Sequence, residues 1–132
     1  VAERVFAKLV ERGAQARFGV LDISLYRDDY EHLSSNPTLQ SSSIDFPVDG
    51  SHVVLVDDVI FTGRTIRAAL DALFDYGRPS KVDLAVLIDR GHREIPVEPR
   101  FVGKHLETDR MDRVDVSLEK IDGKDAVEII TQ

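Results

Sequence analysis

The 132-residue chain contains no cysteine, which excludes disulfides, thiolate catalysis and cysteine-bound metals. No run approaches the roughly 18 apolar residues of a membrane-spanning helix, and no signal-peptide pattern opens the chain, so we expect a cytoplasmic protein. Positive charge is also scarce, since 17 lysines and arginines oppose 24 acids for a net charge of −7. This balance argues against a general nucleic-acid coat protein, although a local basic face stays open.

Hydrophobic residues make up 42% of the chain, enough for one domain spanning residues 1–132 with its own core. Apolar residues recur at helical spacing in residues 1–12 and 66–76, and Gly13 and Gly77 end these patterns as helix C-terminal glycines do. Both segments are therefore predicted to be amphipathic helices.

Apolar runs and alternating patterns predict the strands, at residues 18–25, 53–56, 82–88, 101–102, 114–118 and 127–130, the last closing the sheet at an edge. Residues 26–52 show neither period, which predicts a long binding loop with a short hairpin in its middle. The order of strands and helices predicts an α/β domain with a mainly parallel sheet flanked by helices.

Residues 53–65, VVLVDDVIFTGRT, hold the densest chemistry in the chain. An apolar strand leads through two adjacent carboxylates to a glycine-bearing turn with two threonines, and a helix follows at once. A helix N-terminus presents unpaired N–H groups and partial positive charge, which suit a phosphate. Carboxylates beside a phosphate site imply a ligand with hydroxyls or a metal, and a sugar phosphate meets that description.

Other phosphate motifs fit less well. The NTPase P-loop requires GxxxxGK[ST], and here only Gly63, Arg64 and Thr65 resemble it. The dinucleotide motif GxGxxG is absent. A phosphoryl-transfer aspartate at Asp57 or Asp58 is conceivable without other support, and the plainest alternative is an acidic helix cap followed by a turn glycine.

The same stretch resembles the phosphoribosyl-diphosphate (PRPP) binding motif of type I phosphoribosyltransferases. Three further stretches, LDISLYRDD, TIRAALDALFDYGRP and LAVLIDRGHREIPVEPRFVGK, resemble the pyrimidine operon attenuation regulators that double as uracil phosphoribosyltransferases, the PyrR family. The resemblance covers nearly all 132 residues. It implies the type I phosphoribosyltransferase fold and the reaction of uracil with PRPP to give UMP and diphosphate.

The resemblance also implies roles for individual residues. Asp57 and Asp58 are implied to be the catalytic acids and to bind the ribose hydroxyls. They are also implied to interact with Mg²⁺ indirectly, because the ion is bound to PRPP. The PRPP and UMP site includes both acids together with Val59, Ile60, Phe61, Thr62, Gly63, Arg64, Thr65, Arg90 and Val114. Arg27 belongs to the lid over the diphosphate, and His92 and Arg93 are implied to contact RNA. Phe61 stands where purine-using relatives carry an aspartate, which favours a pyrimidine base.

The implied cofactor is Mg²⁺, and the implied partners are PRPP, uracil, UMP, a pyrimidine-operon mRNA leader and a second copy of the chain in a homodimer or larger homo-oligomer.

Two departures from the family pattern stand out. The strand and diphosphate loop that precede the first helix in the family are not found in residues 1–132, so this polypeptide is expected to catalyse poorly. Glu98 replaces an arginine on the RNA-contacting face, where an acid repels phosphates.

Three hypotheses follow from these residues. The first is a uracil phosphoribosyltransferase, with or without RNA-dependent regulation. The second is a non-catalytic RNA-binding regulator that senses nucleotides through this site. The third is a PRPP-dependent transferase that uses another base.

Overall fold

The computed structural model describes residues 1–24 and 42–131. In chain order the elements are α1 (Ala2–Glu11), β1 (His52–Ile60), α2 (Arg64–Phe74), β2 (Lys81–Asp89), β3 (Phe101–His105), β4 (Arg113–Ser117), α3 (Glu119–Asp122) and β5 (Ala126–Ile130). None of the helices formed by these residues combines the length and the apolar character needed to cross a bilayer.

A three-stranded parallel sheet in the order β1-β2-β3 forms the centre of the fold. His52 pairs with Lys81 at one end of the β1–β2 ladder, and Ile60 pairs with Asp89 at the other. Both strands are rich in valine, isoleucine and leucine, whose side chains pack well on a pleated surface. The predicted parallel sheet is confirmed, and the carboxyl ends of β1 and β2 meet at one edge.

Helix α2 packs on this sheet through an apolar stripe. Ile66, Ala68, Ala72 and Leu73 are its buried residues, at spacings that place them toward one side of the helix. Ile66 joins Ile60, Leu84 and Val86 in the hydrophobic core. This packing fixes the first turn of α2 against the end of β1.

Strand β1 is longer than the sequence predicts, because it continues through both carboxylates to Ile60. The predicted helices at residues 1–12 and 66–76 are confirmed as α1 and α2. The predicted strand at 82–88 is confirmed as β2. The run at 101–102 lies at the start of β3, and that at 114–118 largely coincides with β4.

The prediction that residues 127–130 close the main sheet is wrong. β5 instead pairs antiparallel with β4 in a separate two-stranded sheet, with Val114 opposite Ile129. Only residues 118–125 connect the two strands, whereas a parallel crossover needs a dozen or more residues. The short connection therefore returns the chain alongside β4.

The strand predicted at residues 18–25 is not formed in its described part, 18–24. Val20 makes a single isolated antiparallel bridge to Ser43. Asp22 Oδ1 accepts hydrogen bonds from the backbone N–H and the hydroxyl of Ser24, a local turn that competes with an extended ladder. Most of the predicted 26–52 loop, including its middle, lies outside the described residues.

Gly103 on β3 provides a test of the sheet. A Cβ at this position would lie 2.6 Å from the carbonyl oxygen of Leu87 on β2. Gly103→Ala is therefore expected to lower the free energy of unfolding by about 3 kcal/mol, as overpacking does. The exposed neighbour Lys104→Ala should change it by less than about 0.5 kcal/mol. Urea denaturation of both variants checks this, and equal stabilities would contradict the close strand packing.

Candidate active site

The chemically rich residues of the sequence meet at the carboxyl edge of the parallel sheet. Ile60, the last residue of β1, accepts a hydrogen bond from the Arg90 N–H at 3.2 Å, and this contact holds the two strand ends together. Ligands of open parallel sheets bind outside the carboxyl ends of the strands. The loop of residues 62–65 and the segment of residues 89–95 both start from this edge.

The 62–65 loop leads into the first turn of α2. Gly63 is the N-cap residue of the helix and has a left-handed φ of 91°, a conformation that glycine adopts without a Cβ penalty. A Cβ here would also lie 3.3 Å from the Ile95 carbonyl oxygen. The loop therefore passes close to its support, and the N–H groups and partial positive charge of the α2 N-terminus give it the character of an anion site.

The support of this loop comes from the segment after β2. The backbone N–H groups of Glu94 and Ile95 both donate to the Thr62 carbonyl oxygen, at 2.9 and 3.1 Å. Thr62 Oγ1 accepts from the Arg64 N–H at 3.3 Å. Thr65, the second residue of α2, is exposed, so its hydroxyl can reach a ligand at the loop.

Asp57 and Asp58 are consecutive residues near the carboxyl end of β1, which ends at Ile60. Asp58 is exposed, whereas Asp57 is partly buried. Asp57 Oδ1 accepts from the Asp58 N–H at 2.8 Å, and Asp58 Oδ1 accepts from the Val59 N–H at 2.7 Å. Burial and, to a smaller extent, the neighbouring Asp58 carboxyl raise the pKa of Asp57 to about 7.

Arg90 is buried, with 6% of its surface exposed. Its guanidinium carbon lies 4.0 Å from the centroid of the Phe61 ring, a cation–π distance. Nη2 donates to the Asp109 carbonyl oxygen at 3.0 Å. Nε is buried without a hydrogen-bond partner in the part of the chain that the structure describes. A buried donor without a partner is costly, so this N–H is suited to a ligand acceptor.

Arg93 and the buried Asp89 form a two-pronged ion pair, with Nη1 3.0 Å from Oδ1 and Nη2 2.7 Å from Oδ2. Arg93 also donates to the carbonyl oxygens of Phe61 and Val97, at 3.1 and 2.8 Å. Although burial alone raises the pKa of Asp89, the Arg93 guanidinium and the Gly91 N–H hold it below its usual value. The pair fixes the end of β1 to the segment after β2.

His92 has a left-handed φ of 68°, the only positive φ of a non-glycine residue among those described. Its Nε2 lies 2.6 Å from the Thr108 carbonyl oxygen, and its ring meets the Phe61 ring edge-on with centroids 5.8 Å apart. Non-glycine residues adopt this conformation in only a few per cent of cases, and histidine does so more often than most. The side chain faces Phe61 and Thr108 rather than standing free in solvent.

Glu94 was not among the residues selected from the sequence. Its Oε1 accepts from Arg64 Nε at 2.9 Å, and its Oε2 accepts from Arg110 Nη2. The Arg110 guanidinium carbon lies 5.9 Å from the Phe61 ring centroid. We refer to Glu94, Arg64 and Arg110 as the Glu94 bridge. The only sequence signal was the position of Glu94 in DRGHRE, since nothing linked it to residues 64 and 110.

Comparison with known proteins agrees with this geometry. Residues 1–118 match the family described as the phosphoribosyl transferase domain. The "Bifunctional protein PyrR" of Acetivibrio thermocellus is 54% identical over 98% of this chain and 68% of its own length. That of Akkermansia muciniphila is 52% identical over 98% of this chain and 72% of its own length.

The chain belongs to the phosphoribosyl transferase domain family and, within it, to the PyrR family. A crystal structure of a hypoxanthine-guanine phosphoribosyltransferase from Bacillus anthracis is 24% identical, with a TM-score of 0.46 over 52% of this chain and 40% of that one.

The remaining residues selected from the sequence of this phosphoribosyl transferase domain are less central in the described structure. The Ile60 side chain is buried in the core, 2% exposed, so it faces the site only through its backbone. Val59 is partly buried beside it. Val114 lies on β4. Arg27 lies outside the described residues.

The described residues include no group of three or more His, Asp or Glu side chains that could surround a metal ion. Mg²⁺ is often bound through one or two carboxylates together with substrate phosphates. Asp57 and Asp58 fit an ion that arrives with a diphosphate ligand, and they do not form an ion-binding cage by themselves.

Proposed function

We propose that the protein is a uracil phosphoribosyltransferase that converts uracil and PRPP to UMP and diphosphate. The observation that carries this proposal is the unpaired, buried Nε–H of Arg90 over Phe61, the residue that directly precedes the 62–65 loop. The donor proposed for the base therefore lies against the residue that leads into the proposed phosphate loop. PyrR family membership supports the same assignment.

At the phosphate end, the N–H groups of the 62–65 loop and the hydroxyls of Thr62 and Thr65 bind the 5′-phosphate of the ribose. The dipole of α2 adds favourable charge at its N-terminus. Gly63 lets the backbone approach the phosphate, because no side chain intervenes.

At the base end, Arg90 donates from Nε to a carbonyl oxygen of uracil, and the backbone of Val114 reads the edge of the base. Phe61 supplies an apolar wall that suits a pyrimidine. A site that leaves a buried donor unpaired discriminates against analogues without the matching acceptor.

Asp57 and Asp58 bind the ribose diol as acceptors. In the reaction, the bond from C1′ to the diphosphate oxygen breaks, the bond from C1′ to uracil N1 forms, and the N1 proton is lost. Positive charge develops on the ribose, as in glycosyl transfer. The ionised acids stabilise that charge, and Arg27 is proposed to bind the leaving diphosphate.

The diphosphate is proposed to carry Mg²⁺, which would neutralise the leaving group. Asp57 and Asp58 are the residues of this chain that would hold the ion, and they would do so indirectly, by binding the ribose hydroxyls of PRPP. The contribution of the protein is then mainly to position the two substrates and to exclude water.

The direct test is to incubate a full-length version of the protein with radiolabelled uracil, PRPP and Mg²⁺ and to separate UMP by chromatography. UMP formation is expected, and hypoxanthine, guanine and orotate should not compete. If no UMP forms, the assignment as an enzyme is wrong, and the non-catalytic regulator that senses nucleotides is favoured instead. Efficient use of another base would overturn the assignment of uracil.

RNA-dependent regulation is proposed as a second activity, because the PyrR relatives are named bifunctional. His92 and Arg93 are the proposed contacts, although Arg93 is 16% exposed and Glu98 Oε1 lies 3.5 Å from its Nε. Binding to a pyrimidine-operon leader RNA should weaken as salt rises and tighten with UMP. If UMP leaves the affinity unchanged, the regulatory proposal fails.

Arg90→Lys tests the base end separately. Loss of a charge-assisted hydrogen bond of about 2 kcal/mol should weaken UMP binding about thirtyfold. Ribose 5-phosphate lacks a base, so its dissociation constant should change less than about twofold. Isothermal titration with both ligands checks this, and the exposed Arg113→Lys is the matched control. Equal weakening of both ligands would contradict the role of Arg90 at the base.

A further inference from the structure

The Glu94 bridge joins the two ends of the proposed nucleotide site. One oxygen of Glu94 binds Arg64, the first residue of α2, and the other binds Arg110, which approaches Phe61. Its backbone N–H also binds the Thr62 carbonyl oxygen. One residue thus contacts the phosphate loop twice and reaches the base wall through Arg110.

We infer that Glu94 is a positioning residue that couples phosphate binding at the 62–65 loop to base binding at Phe61. The inference rests on the proposed function and extends it. Glu94 does not touch the reacting atoms. It fixes the distance between two half-sites that a nucleotide must occupy together.

The negative charge of Glu94 allows an experiment to distinguish positioning of the two half-sites from simple charge balance with Arg64 and Arg110. A carboxylate beside a phosphate loop repels the phosphate that the loop binds, because like charges destabilise each other. If Glu94 only balanced the charge of Arg64 and Arg110, removing its charge would free both arginines and tighten phosphate binding. If Glu94 positions the half-sites, removing its charge should weaken the ligand that spans them.

The Glu94 side chain is 27% exposed, and both arginine side chains are at least half exposed, at 50% and 56%. Exposed ion pairs contribute little to stability. Glu94→Gln is therefore expected to fold normally, while the geometry between the half-sites loosens. Small displacements at a binding site have large effects on a ligand held at two points.

The test is isothermal titration of UMP, ribose 5-phosphate and uracil against the native protein, Glu94→Gln and Glu128→Gln. Glu128 forms an ion pair with Lys124 at 3.1 Å outside the site, so its variant is the matched control. In Glu94→Gln we expect UMP binding to weaken at least tenfold. Ribose 5-phosphate and uracil should each stay within threefold, and Glu128→Gln should bind all three ligands normally.

A second variant, Arg110→Gln, removes the other end of the bridge and should reproduce the selective loss of UMP by at least fivefold. Tighter binding of UMP and ribose 5-phosphate by Glu94→Gln would overturn the inference in favour of charge balance. Equal weakening of all three ligands would overturn it in favour of general structural support. If the native protein binds none of the three ligands, the proposed function itself fails, and the coupling fails with it. If the native protein binds them and only the predicted pattern in the variants is missing, the coupling alone fails.

Discussion

Replacing Asp57 by asparagine is expected to stabilise the folded protein at pH 8 while nearly abolishing the formation of UMP. Burial raises the pKa of Asp57 from 3.8 to about 7, so ionising this group costs free energy only in the folded state. Without water access the cost would reach about 4 kcal/mol, and solvent screening reduces it to about 2 kcal/mol. Asparagine keeps a similar shape and carries no charge, so it avoids this cost.

The pH dependence of this stabilisation follows from the direction of the shift. Below pH 3.8 Asp57 is protonated in both states, and the native protein and Asp57→Asn should be equally stable. As the pH rises toward 7, the unfolded chain releases the proton more readily than the folded one, so the native protein loses stability relative to the variant. Above about pH 7 the difference should be constant. Urea denaturation of both proteins between pH 3 and 8 measures this difference in the free energy of unfolding.

The same substitution removes a charge that the proposed mechanism uses at the ribose. Loss of one electrostatic group that stabilises a transition state typically costs roughly 100- to 1000-fold in turnover. Asp58→Asn is the matched control for stability, since the exposed Asp58 should show no comparable gain at pH 8. A native rate in Asp57→Asn, or a destabilised Asp57→Asn protein at pH 8, would contradict the account of this acid.

Gly63→Ala is expected to weaken ribose 5-phosphate binding about 100-fold, because the loop must shift to relieve its new contacts. The added Cβ would lie 3.3 Å from the Ile95 carbonyl oxygen and 3.7 Å from the Val97 Cβ. The left-handed φ of 91° adds strain of about 1–2 kcal/mol. Displacement of the loop takes its N–H groups away from the phosphate position.

Gly123→Ala separates backbone strain from the effect on the ligand. Gly123 has a similar φ of 78°, and nothing lies within 4 Å of an added Cβ. Both variants should lose stability in urea, whereas only Gly63→Ala should lose affinity in a titration with ribose 5-phosphate. If Gly63→Ala binds ribose 5-phosphate as the native protein does, the 62–65 loop is not the phosphate site.

The sequence predicts best where local pattern and buried packing agree. The valine-rich runs of β1 and β2 allow few alternatives, and the glycine turn into α2 follows directly. The pattern at residues 127–130 has the right period for a strand, but the period of a pattern does not indicate which other strand it pairs with. The length of the connection to β4 decides the pairing, which the prediction overlooked.

Contacts distant in sequence account for what the prediction missed in the site. The resemblance implies RNA contact for Arg93, yet the side chain is held by Asp89 and by the Phe61 and Val97 carbonyl oxygens. Nothing in the local sequence around Glu94 indicates that it joins Arg64 to Arg110. The implication for Arg27 stays a prediction, since that residue lies outside the described part.

Titration of isotope-labelled protein with UMP and with ribose 5-phosphate, followed by nitrogen–proton correlation spectra, tests the central claim most directly. Both ligands should shift the backbone amides of Gly63, Arg64 and Thr65, and only UMP should shift the Nε–H signal of Arg90. Shifts confined to other parts of the protein, or an Arg90 signal that responds equally to both ligands, would contradict the proposed division of the site into a phosphate end and a base end.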